Sequence, residues 1–265
     1  MLIIGERINS TRKPIAQAIA ARDAKLIQRE ALAQIEAGAD YVDVNAGAFA
    51  GEEPELLVWL VKTVQEVTDK PLCLDTANAE AAAAALKVHK GKALVNSTTG
   101  QKDRYQAFLP LVKEYGCGIV ALCLDDSGTP PDAPGRLAIA QRLIESLTAE
   151  GIAPADIYID PLVHPLGVET KAGLVAIDAI AGIAREYPEV GTIVGLSNIS
   201  FGLPARAQLN RLFLVLALAC GLKAAILDPA DKRMMADLVI AKAILGQDEY
   251  CMNYLAAYRA GKFNL

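Results

Sequence analysis

The chain is short of the residues that most often announce a site. It carries two histidines and five cysteines in 265 residues. The histidines do not stand at metal-ligand spacing, so no bound metal is expected. Cys73, Cys117, Cys123, Cys220 and Cys251 are odd in number and form no Cys-x-x-Cys pair. Most lie inside apolar runs, and they read as small core residues of a reducing cytoplasm rather than a disulfide framework. No Lys/Arg run interrupts a formal net charge of −5, which argues against a nucleic-acid partner. The longest apolar run, Leu212 to Leu222, is too short to cross a bilayer and stops at Lys223. It is expected to form a buried helix. The amino terminus lacks the basic start and long apolar stretch of a secretory signal. There is no Gly-x-Ser-x-Gly elbow to supply a nucleophile, and no Pro/Gly/Ser-rich linker to divide the chain.

What the chain has is a regular alternation. Hydrophobic residues make up 53%, enough for a substantial core. Strand-like segments are expected at Leu2–Ile8, Asp40–Asn45, Pro71–Asp75, Lys92–Asn96, Cys117–Leu124, Asp156–Asp160, Gly191–Asn198 and Ala224–Asp228. Helix-like segments separate them: Pro14–Ala37 with a break near Asp23, Pro54–Thr68, Asn78–Val88, Asp103–Tyr115, Pro134–Ala149, Thr170–Glu186, Ala205–Cys220 and Asp231–Leu245. A last helical piece spans roughly Glu249 to Tyr258. Eight strand–helix units in one chain predict an α/β fold of the (β/α)8 barrel type. An open doubly wound sheet would carry a glycine-rich first turn, which is missing. One domain is expected over residues 1–265, with 249–265 as a C-terminal helical extension.

In such a barrel the strand C-termini build the chemical face. Here they end in Glu6 and Arg7, Asp43 and Asn45, Asp75, Asn96, Asp125 and Asp126, Asp160, Ser197 and Asn198, and Asp228. Pro71-Leu-Cys-Leu-Asp75 shows the pattern most sharply: an apolar run that stops in a carboxylate. Helix capping is the ordinary explanation for any one of these residues. It explains a whole ring of them less well. Such a mouth offers acceptors and amides rather than cations. That suits a flat heterocycle with paired N–H donors, such as a pterin. A carboxylate metal site is the competing reading. His89, beside Lys87 and Lys90 at a helix end, reads as a charge favouring the helix dipole. His164, after the sixth strand, reads as a rim or partner contact.

Several of these segments together resemble a known family. Gly5-Glu-Arg-Ile-Asn9, Cys73-Leu-Asp75, Val95-Asn-Ser97, Tyr158-Ile-Asp-Pro161, Val194-Gly-Leu-Ser-Asn198, Asn210-Arg-Leu-Phe213 and Ala219-Cys-Gly-Leu222 occur in order. The set looks like the pterin-binding methyltransferases that move a methyl group between tetrahydrofolate and a corrinoid protein. Dihydropteroate synthase and the folate module of cobalamin-dependent methionine synthase share that barrel. The resemblance implies that Asp75, Asn96 and Asp160 hold the pterin ring and that Gly195 and Ser197 line its pocket. It implies that Asn198 reaches N5, with Asp160 linked through water to the proton there, and that Arg206 faces the aminobenzoyl-glutamate tail. Glu6, Asp43 and Asn45 would support these residues from behind. Phe201-Gly-Leu-Pro204 departs from relatives richer in Asn and Gln. A homodimer is implied as well. The corrinoid would arrive on a partner protein, since the Asp-x-His-x-x-Gly signature is incomplete: Leu162 stands where the aspartate belongs before His164-Pro-Leu-Gly167. A synthase joining a pterin pyrophosphate to an aminobenzoate, and a non-catalytic pterin-binding or docking protein, are the alternatives.

Overall fold

A computed structural model describes residues 1–264. Eight parallel strands close into a barrel in sequence order. They are β1 Leu2–Asn9, β2 Tyr41–Asn45, β3 Leu72–Asp75, β4 Leu94–Thr99, β5 Gly118–Leu122, β6 Ile157–Asp160, β7 Gly191–Gly195 and β8 Ala224–Leu227, with β8 pairing back on β1. The helices are α1 Lys13–Ala20, α2 Ala24–Glu36, α3 Glu53–Gln65, α4 Ala79–Leu86, α5 Lys102–Tyr115, α6 Ala133–Ala149, α7 Ala172–Glu186, α8 Arg206–Ala219, α9 Lys232–Ile244 and α10 Met252–Arg259. The break near Asp23 separates α1 from α2. Arg22 takes a left-handed φ of 52°, and the Asp23 carboxylate accepts from the Leu26 N–H to cap α2. The C-terminal extension is α10 with a short 3-10 turn before it; residue 265 of that segment lies outside the described residues.

Strand alternation sorts the side chains. On β3, Leu72 and Leu74 face the helices, and Cys73 and Asp75 face the barrel axis. The outward set, with Ile8, Val42, Val44 and Val95, packs against Ile19, Ile27, Leu57 and Leu60 of α1 to α3. Each such side chain, fully buried, contributes roughly 1.5–3 kcal/mol. The inward set forms its own cluster of Ile4, Cys73, Leu94, Val120, Ile193 and Ala224, flanked by Tyr41 and Tyr158. This apolar plug fills the lower barrel. Two residues further along β1, β2, β3, β4 and β6, the inward position becomes polar: Glu6, Asp43, Asp75, Asn96 and Asp160.

Two expectations change. The seventh strand stops at Gly195, and Leu196–Ser200 form a 3-10 turn, so Ser197 and Asn198 stand above the sheet rather than in it. The apolar run of α8 is only half covered, since Leu212 and Leu216 are exposed. Three cysteines are buried, Cys220 is half-buried and Cys251 exposed, all as free thiols. Among the described residues no helix is long and apolar enough to cross a membrane.

Gly191 marks the tightest point of the plug. A Cβ there would sit 2.4 Å from the Tyr158 ring, which the barrel wall holds in place. Gly191→Ala is therefore expected to cost about 1–3 kcal/mol by overpacking. Thermal denaturation should show Tm falling by roughly 3–8 °C. An unchanged Tm would mean that the ring has free room to turn.

Candidate active site

The polar inward positions meet in a cavity of about 780 Å³ at the C-terminal mouth of the barrel. It is lined by every residue singled out above for a pterin: Asp75, Asn96, Asp160, Gly195, Ser197, Asn198 and Arg206. Glu6, Asp43 and Asp228 line it too. Register explains the convergence. Asp75 lies opposite Asn96, Asp43 opposite Cys73, and Asp160 opposite Leu122. Capping does not account for Asp75, because Asn78 caps α4 by accepting from the Glu80 and Ala81 N–H groups. The Asp75 carboxylate instead accepts from Asn45 Nδ2 at 3.0 Å and from Asn96 Nδ2 at 3.5 Å. Asp125 and Asp126 do not join the ring. Asp125 closes a surface turn with Ser127 and pairs with Arg142.

Burial sets the charge state of this floor. Asp43 is 1% exposed, and its Oδ1 has no hydrogen-bond partner. Desolvation, then Asp75 and Glu6, push its carboxyl well above the usual range, with only the Cys73 thiol opposing. Asp75 is raised to about 6, chiefly by burial, with the Asn45 amide holding it down. Asp160 is raised to about 7, again by burial, against the Leu162 N–H and the Arg136 guanidinium. Its Oδ1 accepts from the Leu162 N–H at 2.7 Å. Glu6 is raised as well, by burial and then by Asp228, and accepts from Ser197 Oγ at 3.3 Å. Asp75 and Asp160 change charge near neutral pH, which suits them to meeting N–H donors or moving a proton.

The rim is built differently. Arg206 donates from Nη2 to the Ser197 carbonyl at 2.8 Å and from Nε to Ser200 Oγ at 3.0 Å, bracing the 3-10 turn. The Asn198 amide is exposed and leans over Gly195, where a Cβ would sit 3.0 Å from Nδ2. Only glycine leaves that space free. The expectation of a mouth without cations is corrected here, because Arg7 and Arg12 line the cavity with Arg206. Arg7 is tied to Glu30 and Asp228, whereas Arg12 forms no ion pair among the described residues. Asn210 of α8 also lines the cavity, with a buried Oδ1 that has no partner. Arg104 of α5 donates to the Ser97 carbonyl and faces Asp75 in an adjoining cavity. In sequence, Arg104 and Arg12 look like ordinary surface basics.

The histidines take no part in this cavity. His164 is half-buried on the loop after β6. His89 is corrected: burial lowers its pKa, and its Nε2 accepts from the Leu72 N–H at 3.2 Å. It is a neutral acceptor at the start of β3, not a charge on a helix end.

Comparisons with known proteins place the chain in a family. The sequence profile described as pterin binding enzyme matches residues 5–228. A methylcorrinoid:tetrahydrofolate methyltransferase from Eubacterium limosum is 36% identical over 99% of this chain and 97% of its own length. Methionine synthase from Mycobacterium tuberculosis is 30% identical over 85% of this chain, which spans only 20% of that longer protein. Among solved structures, 7,8-dihydropteroate synthase from Vibrio fischeri superposes with a TM-score of 0.68 at 16% identity, covering 93% of each chain. The enzyme from Xanthomonas albilineans gives 0.67 at 20% identity, covering 92% of each. At these identities the structures establish the fold.

The burial of Asp160 has a thermodynamic signature. Its folded-state value near 7 lies above the ordinary 3.8, so the native protein holds a proton that the unfolded chain has released. The stability this confers is complete below about pH 4 and is lost as pH rises through 7, on the order of a few kcal/mol in total. Asp160→Asn should therefore raise Tm above the parent at pH 8, with the gain vanishing near pH 4. Melting curves across that range measure it; a gain that does not depend on pH would contradict the assignment.

Proposed function

The chain belongs to the pterin-binding enzyme family, and from that premise we propose that it carries a methyl group from the cobalt of a corrinoid protein to N5 of tetrahydrofolate. The observation that carries this reading is the set of acceptors, buried Asp160 and half-buried Asp75 and Asn96, that line one cavity with Asn198. A pterin presents its amino and ring N–H groups along one edge. Ionised carboxylates at the cavity floor accept them, and each charged hydrogen bond contributes roughly 1.5–3 kcal/mol. The tail of the folate then points outward to the rim, where Arg206 and Arg12 face its carboxylates. The direction of transfer is taken from the full-length similarity to the Eubacterium limosum enzyme.

Catalysis in this reading is positioning plus electrostatics. The N5 lone pair attacks the methyl carbon in line with the cobalt. The N5–carbon bond forms as the carbon–cobalt bond breaks. Both electrons of the broken bond stay on cobalt, which passes from Co(III) to Co(I). N5 becomes positively charged and then loses its proton. The Asn198 amide has no proton to exchange near neutral pH, but its oxygen stabilises the charge that develops at N5. The proton leaves through water toward Asp160, whose value of about 7 lets it act as a base. No covalent enzyme intermediate is required. The corrinoid is a substrate delivered by its own carrier protein to the open mouth, and the enzyme works as a single-domain barrel in a homodimer.

The test is direct. Mixed with tetrahydrofolate and a methylated corrinoid protein, the enzyme should convert the methyl-Co(III) spectrum to that of Co(I), with one methyltetrahydrofolate formed per cobalt. No spectral change would overturn the reading, and so would turnover of a pterin pyrophosphate with aminobenzoate. Asn198→Ala should lower the single-turnover rate at saturating folate by about 10²-fold. A near-parent rate with the pterin still bound would remove Asn198 from the mechanism.

A further inference from the structure

We propose that Arg136 is a positioning residue that aims Asp160 at the pterin, acting through the peptide that joins Pro161 to Leu162. This rests on the reading of Asp160 given above.

Arg136 lies in the first turn of α6 and is 2% exposed. A buried guanidinium normally meets a carboxylate. This one makes no ion pair among the described residues. Its fork is given to backbone carbonyls: Nε donates to Pro130 at 3.1 Å, and Nη1 to Pro161 at 2.9 Å and Leu162 at 2.5 Å. Two successive peptide planes beyond β6 are thus pinned by one nitrogen. Leu162 is held in the left-handed region at φ 64°, which side chains of its kind avoid.

Peptide planarity turns this clamp into an aiming device. In a trans peptide the C=O and N–H point in opposite directions. Drawing the Pro161 oxygen toward Arg136 therefore turns the Leu162 N–H the other way, onto Asp160 Oδ1 at 2.7 Å. Pro161 has no N–H of its own, so Leu162 supplies the first donor after the carboxylate. The positive charge acts in the same sense as the aimed N–H, since both favour an ionised Asp160. The other titratable group facing Asp160 is the Cys123 thiol beyond β5, which burial keeps protonated. His164, further along the loop, faces Arg136 and Glu169. Leu162 itself lines the mouth cavity, so the clamp also shapes the wall.

The experiment measures tetrahydrofolate affinity by calorimetry from pH 5.5 to 8.5 in the parent, Asp160→Asn, Arg136→Lys and Arg136→Met. In the parent, affinity should weaken on the acid side in two steps, as Asp160 near 7 and then Asp75 near 6 take up protons, and Asp160→Asn should remove the upper step, the Asp160 limb, while the lower one stays. Arg136→Met should move the limb up by about one pH unit, roughly tenfold in affinity at pH 6. Arg136→Lys keeps the charge but not the fork, and should move it less. A purely structural role would lower Tm and leave the limb in place, which would overturn the proposal while Asp160 kept its role. Parent-like affinity and pH dependence in Asp160→Asn would instead overturn the reading of Asp160 itself. A second measurement needs no variant. In the unaltered protein the Leu162 amide proton resonance should titrate with the midpoint of the affinity limb, and an invariant resonance would refute the arrangement.

Discussion

Keeping carboxylates out of water while leaving them short of partners is the constraint on which this protein turns. Asp43, Asp75 and Asp160 sit at inward positions toward the C-terminal ends of three strands, above an apolar plug. An isolated charge there would cost many kcal/mol, so the groups respond by holding protons further up the pH scale. The partial relief they receive is specific. Asn45 and Asn96 meet Asp75, and a single backbone N–H meets Asp160. Among the described residues, Asp43 Oδ1 and Asn210 Oδ1 remain without partners.

The surrounding fold supports that floor in two ways. Small residues in the barrel, such as Cys73, Ala224 and Gly191, make room for the rings of Tyr41 and Tyr158, and the plug stays dense. Around the mouth, three arginines hold backbone carbonyls rather than carboxylates. Arg104 grips Ser97, Arg206 grips Ser197, and Arg136 grips Pro161 and Leu162. The grips fix the C-terminal half of β4 and the segments that follow β6 and β7. Rigidity at the strand ends is therefore supplied from the helices, and the loops carry side chains into the cavity without being free to wander.

Much of this was legible in the sequence. The alternation of apolar runs with helical segments gave eight units, and the abrupt polar ends of those runs marked the mouth. Asp75 and Asp160 stood out because each ends an apolar run in a carboxylate, and capping explains a whole ring of such ends poorly. The failures have physical causes. Asp125 ends the same kind of run, yet Ser127 and Arg142 draw it into a surface turn. Its strand had already stopped at Leu122, and strand length is poorly marked where both faces are buried. Ser197 and Asn198 follow β7 with no break in apolarity, so the change to a 3-10 turn left no trace in the pattern. Arg136 was invisible because its partners are carbonyls, which any residue supplies. His89 misled because it stands beside lysines in the chain, whereas in the fold its ring turns to the Leu72 amide.

In the proposed function the pterin is received by carboxylates whose protons are displaced as its N–H donors arrive. Calorimetric binding of tetrahydrofolate at pH 6, run in two buffers of different ionisation enthalpy, measures the protons exchanged. With Asp75 near 6 and Asp160 near 7 in the free protein, the account predicts net proton release at pH 6, fading toward zero by pH 8.5. Binding at pH 6 with no proton exchange, or with net uptake, would contradict it.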